Sequence, residues 1–196
     1  MVEGRSGQSL FDTQGKRLYL NELERRKFRD AISKQKCPSK QAFCLTIFYS
    51  SCRPSEITSL RKEHIDFSQQ TIVIRTLKQR GACRMRFLSL PPKLLSRLRE
   101  LTRSLKPEDL VWNFSRSTAW RIVKKSMAEA KIEGPQATSK GLRHSFATSH
   151  SCLGVPLPKV QRWMGHENFN NTAIYIDVVG DEERKLASRI WLKEDL

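Results

Sequence analysis

The sequence lacks any long apolar run. No stretch approaches the roughly 18 consecutive apolar residues that a membrane-spanning helix requires. The first residues, Met1 to Ser6, also lack the apolar core of a secretion signal. We therefore expect a cytoplasmic protein that has no membrane partner.

Paired cysteines are absent as well. The chain has five cysteines, an odd number, and no two of them form a Cys-x-x-Cys pair. They are Cys37, Cys44, Cys52, Cys83 and Cys152. Zinc fingers and disulfide frameworks both depend on regularly paired cysteines. The sequence therefore predicts neither a metal site nor a disulfide framework, which agrees with a reducing compartment.

Acidic residues are scarce relative to basic ones. The 196 residues include 20 Asp and Glu against 36 Lys and Arg, which gives a formal net charge of +16. A soluble domain this basic usually binds a polyanion, most often nucleic acid. The alternative is a solvated basic surface with no partner. Because Lys and Arg recur throughout the helix-like sequence, we favour a nucleic-acid partner.

Apolar residues recur at helical spacing over most of the chain and alternate only in its middle. The predicted helices span about 21–33, 39–51, a short segment from Pro54, 92–104, 117–131, 139–152, 157–164 and a segment from about 181. The predicted strands span about 64–67, 71–76 and 84–90. These elements indicate an α+β fold that is mainly α-helical, a helical bundle with a small three-stranded antiparallel sheet.

Residues 1–18 are polar and glycine-rich, and they predict a flexible N-terminal tail. The remainder shows no linker and no internal repeat. A single domain over residues 19–180 and a terminal helix over residues 181–196 therefore follow from the pattern.

Tyr175 is the candidate nucleophile. A free phenol has a pKa of about 10, so it attacks weakly at neutral pH unless cations and hydrogen-bond donors surround it and its target. Arginine suits this role, because its planar fork donates two parallel hydrogen bonds to phosphate oxygens. Arg53 and Arg143 lie far apart in the chain and could clamp the two non-bridging oxygens of one phosphodiester.

Three segments carry a resemblance to a known family. The segment Ser51-Cys52-Arg53-Pro54-Ser55-Glu56 resembles the first arginine segment of tyrosine recombinases, the phage-type integrase family. Residues 141–148, Gly-Leu-Arg-His-Ser-Phe-Ala-Thr, resemble the second arginine segment. Trp163-Met164-Gly165-His166 and Thr172-Ala173-Ile174-Tyr175 resemble the Gly-His and nucleophile segments. The resemblance implies the catalytic-domain fold of that family over residues 19–180.

The resemblance also implies an activity, site-specific DNA recombination or integration of the kind used by mobile genetic elements. Tyr175 would form a 3′-phosphotyrosine intermediate and release a 5′-hydroxyl. The hydroxyl of a partner strand would then attack the phosphotyrosine link. One phosphoester replaces another, so the family's reaction uses no ATP, no metal ion and no cofactor.

The resemblance implies a site of six residues besides Tyr175, one of which, Lys140, departs from the family pattern. Arg53 and Arg143 would bind the scissile phosphate, and His166 would hydrogen-bond it. Glu56 would orient the site, although an acid at a helix start has an ordinary structural explanation. Lys78 at the end of the second strand would protonate the leaving oxygen, with Arg80 as a rival. His144 is expected to be structural.

Lys140 departs from the family pattern. The family usually has histidine three residues before its second arginine, and histidine shuttles protons near neutral pH where lysine does not. Lys140 could supply fixed positive charge to the transition state. Alternatively, nearby arginines could make its ammonium group more acidic, so that it transfers a proton. The third possibility is that the activity is weakened. We expect retained activity, because the other catalytic residues are present.

The implied partners are double-stranded DNA and further copies of the chain, as a tetramer on paired DNA sites and a monomer or weak associate when free. Accessory DNA-bending proteins are a further expectation. The chain resembles short single-domain members, and its 181–196 helix would dock on a neighbouring protomer or pack in cis. Two alternatives stay open: a catalytically weakened DNA-binding module, and a type IB topoisomerase-like enzyme that relaxes DNA.

Overall fold

A computed structural model describes residues 9–77, 83–178, 183–184 and 186–188. In these ranges the α-helices are α1 (Glu22–Ser33), α2 (Pro38–Ser50), α3 (Pro54–Thr58), α4 (Pro92–Leu101), α5 (Arg116–Glu129), α6 (Ser139–Cys152), α7 (Leu157–Met164) and α8 (Asn170–Ala173). The strands are β1 (Ile65–Asp66), β2 (Thr71–Leu77) and β3 (Cys83–Ser89), which form one antiparallel sheet in the order β1-β2-β3. The predicted fold class is confirmed.

Local sequence signals account for where the helices begin. At the start of α1, the Glu24 N–H donates to Asn21 Oδ1 at 2.8 Å and the Asn21 N–H donates to Glu24 Oε2 at 2.9 Å. This reciprocal capping box satisfies two backbone donors that the first turn leaves unpaired. Proline occupies the first turn of α2, α3, α4 and α7, where its missing N–H has no partner to lose.

Alternate residues of the sheet face the larger of the two apolar clusters, which we call the main core. Ile72 and Ile74 of β2 and Leu88 of β3 are buried there, with β2 in contact with α3 and β3 in contact with α7. The register pairs Ile74 with Arg86, so Arg86 faces inward as well. A buried arginine at an inward position of a strand requires polar partners, and those partners belong to the candidate site.

A second, smaller apolar cluster forms around Tyr175. This Tyr175 cluster contains Leu10, Tyr19, Ala147, Val160, Met164, Tyr175 and Val178. It holds together the N-terminal segment, α6, α7 and the 3₁₀ turn Ile174–Ile176 that carries Tyr175.

The described part of the predicted flexible tail is packed. Leu10 is only 2% exposed, and Phe11 and Arg17 form an isolated antiparallel bridge. For residues 9–18 the structure shows packing where the pattern predicts a flexible tail, because the apolar side chains at 10 and 19 find partners in the Tyr175 cluster that no local pattern reveals. The other domain limits remain predictions, and residues 181, 182, 185 and 189–196 lie outside the described ranges.

Within the described ranges, no helix combines the length and apolar composition that crossing a bilayer demands.

Candidate active site

Helix α6 places Lys140, Arg143 and His144 on one face, because residues three and four apart lie above one another on a helix. The helix begins at a Thr138 cap, whose Oγ1 accepts from the Gly141 N–H at 3.0 Å. A Cβ on Gly141 would lie 1.9 Å from the carbonyl oxygen of Gln136. Glycine at 141 is thus what lets α6 start tightly against the preceding loop.

Arg143 is buried, at 7% exposure, and two carbonyl groups hold its guanidinium. Its Nη1 donates to the Ser51 carbonyl oxygen and its Nη2 to that of Met164, both at 2.6 Å. Burial, assisted by Arg53, lowers its pKa to about 10, so the group stays charged at neutral pH. A guanidinium has five N–H donors, and three remain for a ligand.

Arg53 differs from Arg143 in exposure, because about half of its side chain is open to solvent. It caps α3, and its backbone N–H donates to Glu56 Oε2 at 2.8 Å. The residue two positions earlier, Ser51, ends α2 in the left-handed region with φ of 57°. That conformation is unfavourable for a non-glycine residue, and it aims the Ser51 carbonyl at Arg143.

Glu56 and Arg86 form a buried ion pair that ties the site together. Arg86 Nη2 donates to Glu56 Oε1 at 2.7 Å and Nη1 to the Trp163 carbonyl oxygen at 2.6 Å, with the two side chains 3% and 9% exposed. Burial would raise the pKa of Glu56, but Arg86, the Arg53 N–H and further arginines outweigh it and hold that pKa low. Glu56 thus links the start of α3 to Arg86 of β3.

Gly165 completes this junction. It ends α7 with φ of 68°, and a Cβ there would lie 2.8 Å from Cδ and Nε of Arg86. The sequence motifs do not indicate Arg86. The alternation of β3 predicts an inward apolar side chain at position 86. A basic residue at that position is the sequence feature that could have indicated Arg86.

His166 lies just beyond α7. Its Nδ1 is 3.0 Å from Oγ1 of the buried Thr172, which leaves Nε2 for a ligand. Burial, together with Arg143 and Arg53, lowers its pKa to about 3, so the ring is neutral at neutral pH. Thr172 lies in α8, and the family resemblance gives its buried hydroxyl no role.

Tyr175 is 1% exposed, and its hydroxyl is 3.0 Å from Nδ1 of His144. Its ring stacks on that of His166, with centroids 6.2 Å apart and planes inclined by 17°. Burial raises the pKa of Tyr175 to about 12 against the opposing effect of Arg143 and Arg53. The phenol is therefore neutral at neutral pH and must lose its proton during any attack.

These side chains surround one cavity of about 380 Å³. Its lining combines arginines, the two histidines and the tyrosine with helix-start residues: Arg53, Pro54, Ser55, Arg116, Ser139, Lys140, Arg143, His144, His166 and Tyr175. Arg116 is the first residue of α5 and was not among the predicted site residues. A larger cavity of about 740 Å³ lies between α1, α2 and α5 and shares no residue with this one.

Six of the seven predicted site residues fall in the described ranges. Five of them line the cavity, and Glu56 supports it through Arg53 and Arg86. Lys78 and its rival Arg80 lie outside the described residues, so the predicted general acid is untested. In the part of the chain that is described, no three His, Cys, Asp or Glu residues are grouped as a metal site requires.

Comparison with known proteins agrees with this geometry. The model of the phage integrase family matches residues 16–181. The chain is 31% identical over 187 residues to tyrosine recombinase XerA of Thermococcus onnurineus, covering 90% of the chain and 64% of that protein. It is 31% identical over 143 residues to a tyrosine recombinase of Pseudothermotoga lettingae, covering 70% of the chain and 49% of that protein. The chain belongs to the phage integrase family and is a tyrosine recombinase catalytic domain.

Solved structures show the same fold. The crystal structure of XerA recombinase superposes with a TM-score of 0.75 at 22% identity, covering 87% of the chain and 64% of that structure. The XerH recombinase in a post-cleavage complex with palindromic difH substrate gives 0.73 at 21% identity, covering 97% and 57%. The catalytic domain of bacteriophage HP1 integrase gives 0.63 at 16% identity, covering 89% and 96%. The chain therefore spans less than two thirds of the first two proteins and nearly the whole of an isolated catalytic domain.

Proposed function

We propose that the chain is the catalytic domain of a site-specific DNA recombinase or integrase that cleaves and rejoins DNA through a 3′-phosphotyrosine intermediate. One observation carries the proposal. Arg53, Arg143, His166 and Tyr175 come from distant segments of the chain and line one cavity. Two fixed cations, a neutral imidazole and a phenol around one cavity suit attack on a phosphodiester.

The phosphate is bound by donors that are in place before it arrives. Arg143 offers its three remaining N–H groups from a guanidinium already fixed by two carbonyls. Arg53 approaches from the solvent side, and His166 donates from Nε2. Preorganised donors of this kind contribute on the order of 3 kcal/mol each to lowering the barrier.

Cleavage then exchanges one phosphoester for another. Tyr175 Oη bonds to phosphorus while the bond from phosphorus to the 5′-oxygen breaks, and the hydroxyl of a partner strand later reverses the exchange. Because the number of phosphoester bonds is unchanged, no ATP is needed, and the two arginines would supply the positive charge that a metal ion supplies in other phosphoryl transfers. Lys78 would give a proton to the leaving oxygen. Lys140, exposed and lining the cavity, would supply fixed positive charge.

Double-stranded DNA is the proposed substrate. The net charge of +16 suits a polyanion, and the relative XerH is recorded in complex with a DNA substrate. Binding through phosphates releases counterions, so we expect weak affinity for DNA that falls steeply with salt; flat binding between low and moderate salt would contradict this. Assembly as a tetramer on paired sites, accessory DNA-bending proteins and a cytoplasmic location are part of the same proposal.

Covalent trapping tests the chemistry. The chain is incubated with randomly nicked genomic fragments from the source of the gene, and DNA that stays attached under denaturing conditions is sequenced. A nick near the cleavage point lets a short strand diffuse away, which traps the adduct. We expect an adduct at a defined site that forms equally well with EDTA and without ATP.

Tyr175→Phe should give no adduct, while Tyr49→Phe, on α2 and outside the cavity, should behave as the unaltered chain. An adduct from Tyr175→Phe would refute the assignment of the nucleophile. DNA binding without any adduct from the unaltered chain would favour the weakened DNA-binding module. Relaxation of supercoiled DNA that lacks a specific site would favour the topoisomerase alternative.

A further inference from the structure

We propose that His144 accepts the proton of the Tyr175 hydroxyl during strand cleavage and returns it during rejoining, an inference that rests on the proposed function. The family resemblance assigns no role to this residue. The structure brings its ring into hydrogen-bond contact with the nucleophile, with 3.0 Å between Nδ1 and Oη.

The contact favours one arrangement of hydrogens. A phenol is a good donor, and a neutral imidazole has one accepting nitrogen and one donating nitrogen. The Tyr175 O–H therefore donates to Nδ1, and His144 carries its hydrogen on Nε2. That Nε2 is buried and has no hydrogen-bond partner within the described ranges, so no protein group there competes for the ring's orientation.

Other groups around the cavity are less suited to accept this proton. Arg53 and Arg143 are donors only, and a protonated Lys140 has no lone pair. His166 has its Nδ1 committed to Thr172 and stacks on the tyrosine ring instead of meeting the hydroxyl edge-on. His144 is the described cavity residue whose ring nitrogen is hydrogen-bonded to the phenol.

The position of His144 also addresses the departure at Lys140. The family usually has a histidine at the position of Lys140, and this chain has a histidine, His144, four residues later on the same helix. One helical turn separates the two positions on one face of α6. The chain thus keeps an imidazole on this face of the site and adds a cation beside it.

The surroundings of His144 keep its ring neutral and therefore able to accept a proton. The titratable and charged groups that face it or line the same cavity are Arg53, Arg116, Lys140, Arg143, His166 and Tyr175. Burial first, and then Lys140 and Arg143, lower the pKa of His144 to about 4 in the free protein. The ring is therefore neutral at neutral pH, and the negative charge of a bound phosphate offsets the cations when the proton arrives.

The step balances in protons and bonds. As the bond from Oη to phosphorus forms, the phenolic proton moves to Nδ1 and the bond from phosphorus to the 5′-oxygen breaks. The leaving oxygen takes its proton from the acid proposed above, Lys78. On rejoining, the tyrosine becomes the leaving group and His144 gives the proton back.

The test is the single-turnover rate of adduct formation on a nicked duplex that carries the site recovered above. His144→Asn keeps a polar group near the hydroxyl but cannot take a proton, so we expect the rate to fall by about 100-fold or more. Affinity for the duplex should stay within about twofold. His150→Asn is the matched control, because His150 is a partly buried histidine of the same helix that lies outside the cavity. Its rate should stay within about threefold of the unaltered chain.

Two further measurements separate proton transfer from a structural role. Imidazole added to His144→Ala should restore the rate in proportion to its unprotonated form, and its failure to do so would overturn the inference. The unaltered chain, which needs no substitution, should show a rate that rises with pH and reaches a plateau; a rate without that rising limb would also overturn it.

The two proposals fail in different ways. An unaltered chain that forms no adduct removes the proposed function and the inference together. An adduct that forms as fast in His144→Asn as in the unaltered chain leaves the proposed function standing and removes only the role of His144.

Discussion

The site has two halves that are built differently. The phosphate-binding half contains Arg53, Arg143 and the Glu56–Arg86 pair, and the nucleophile half contains Tyr175 and His144. Arg143 and Arg86 each donate to two partners on separate elements. Tyr175 stands on a 3₁₀ turn, and its hydroxyl meets one imidazole. The first half rests against the main core, while the second rests on the small Tyr175 cluster. Charge is thus fixed before substrate arrives, and the nucleophile depends on fewer contacts.

Breaking the Glu56–Arg86 pair should produce the largest effect. Arg86→Met leaves the Glu56 carboxylate buried without its closest cation, which typically lowers the free energy of unfolding by about 3–5 kcal/mol. Chemical denaturation measures the loss. Arg97→Met, exposed on α4, should change it by less than about 0.5 kcal/mol. Adding Glu56→Gln to Arg86→Met should recover part of the stability; no recovery would show that the pair is not the cause.

The two phosphate-binding arginines sharpen the comparison within one half. Arg143→Ala and Arg53→Ala should each slow adduct formation by about 100- to 1,000-fold, because each removes a donor to the phosphate. Only Arg143→Ala should also lower the free energy of unfolding, by about 1–3 kcal/mol, since it leaves the Ser51 and Met164 carbonyls unpaired. Equal stability of the two variants would contradict the distinction between a buried and an exposed arginine.

A substitution far from Tyr175 in the chain should weaken the packing that supports the nucleophile half. Leu10→Ala opens a void in the Tyr175 cluster and should lower the free energy of unfolding by about 2 kcal/mol. Leu23→Ala on α1 is the matched control, because that leucine is largely exposed. We expect slower adduct formation from Leu10→Ala with unchanged affinity for DNA. A faster rate would mean that the N-terminal segment restrains Tyr175 instead of supporting it.

The smallest effect concerns pH and belongs to the phosphate-binding half. Glu56 has a pKa below its ordinary value of 4.5 in the folded chain. Its ionised form therefore adds stability above that value, and this contribution is lost as pH falls through the folded pKa. The difference in unfolding free energy between the unaltered chain and Glu56→Gln should be constant near neutral pH and shrink below about pH 4.5. A difference that persists at lower pH would assign the stability to hydrogen bonding alone.

Much of the fold followed from local chemistry. Apolar residues at helical spacing and the alternation of β2 predicted their elements to within a few residues. The motif residues Arg53, Arg143, His166 and Tyr175 were also found from the sequence, and the structure brings them to one cavity. Arg86 and Arg116 were not, because a lone arginine in a strand or at a helix start has the same local pattern whether or not it faces a site.

The chain by itself determined which residue types are available and which local elements carry them. Helix propensity, capping and apolar periodicity act over a few neighbouring residues, so they can be recognised in the sequence of each segment separately. Only the tertiary structure decided that Leu10 supports the Tyr175 cluster, that Arg86 joins β3 to Glu56 and to the end of α7, and that His144 meets the phenol. Those contacts join residues far apart in the chain, and packing of the whole core selects them.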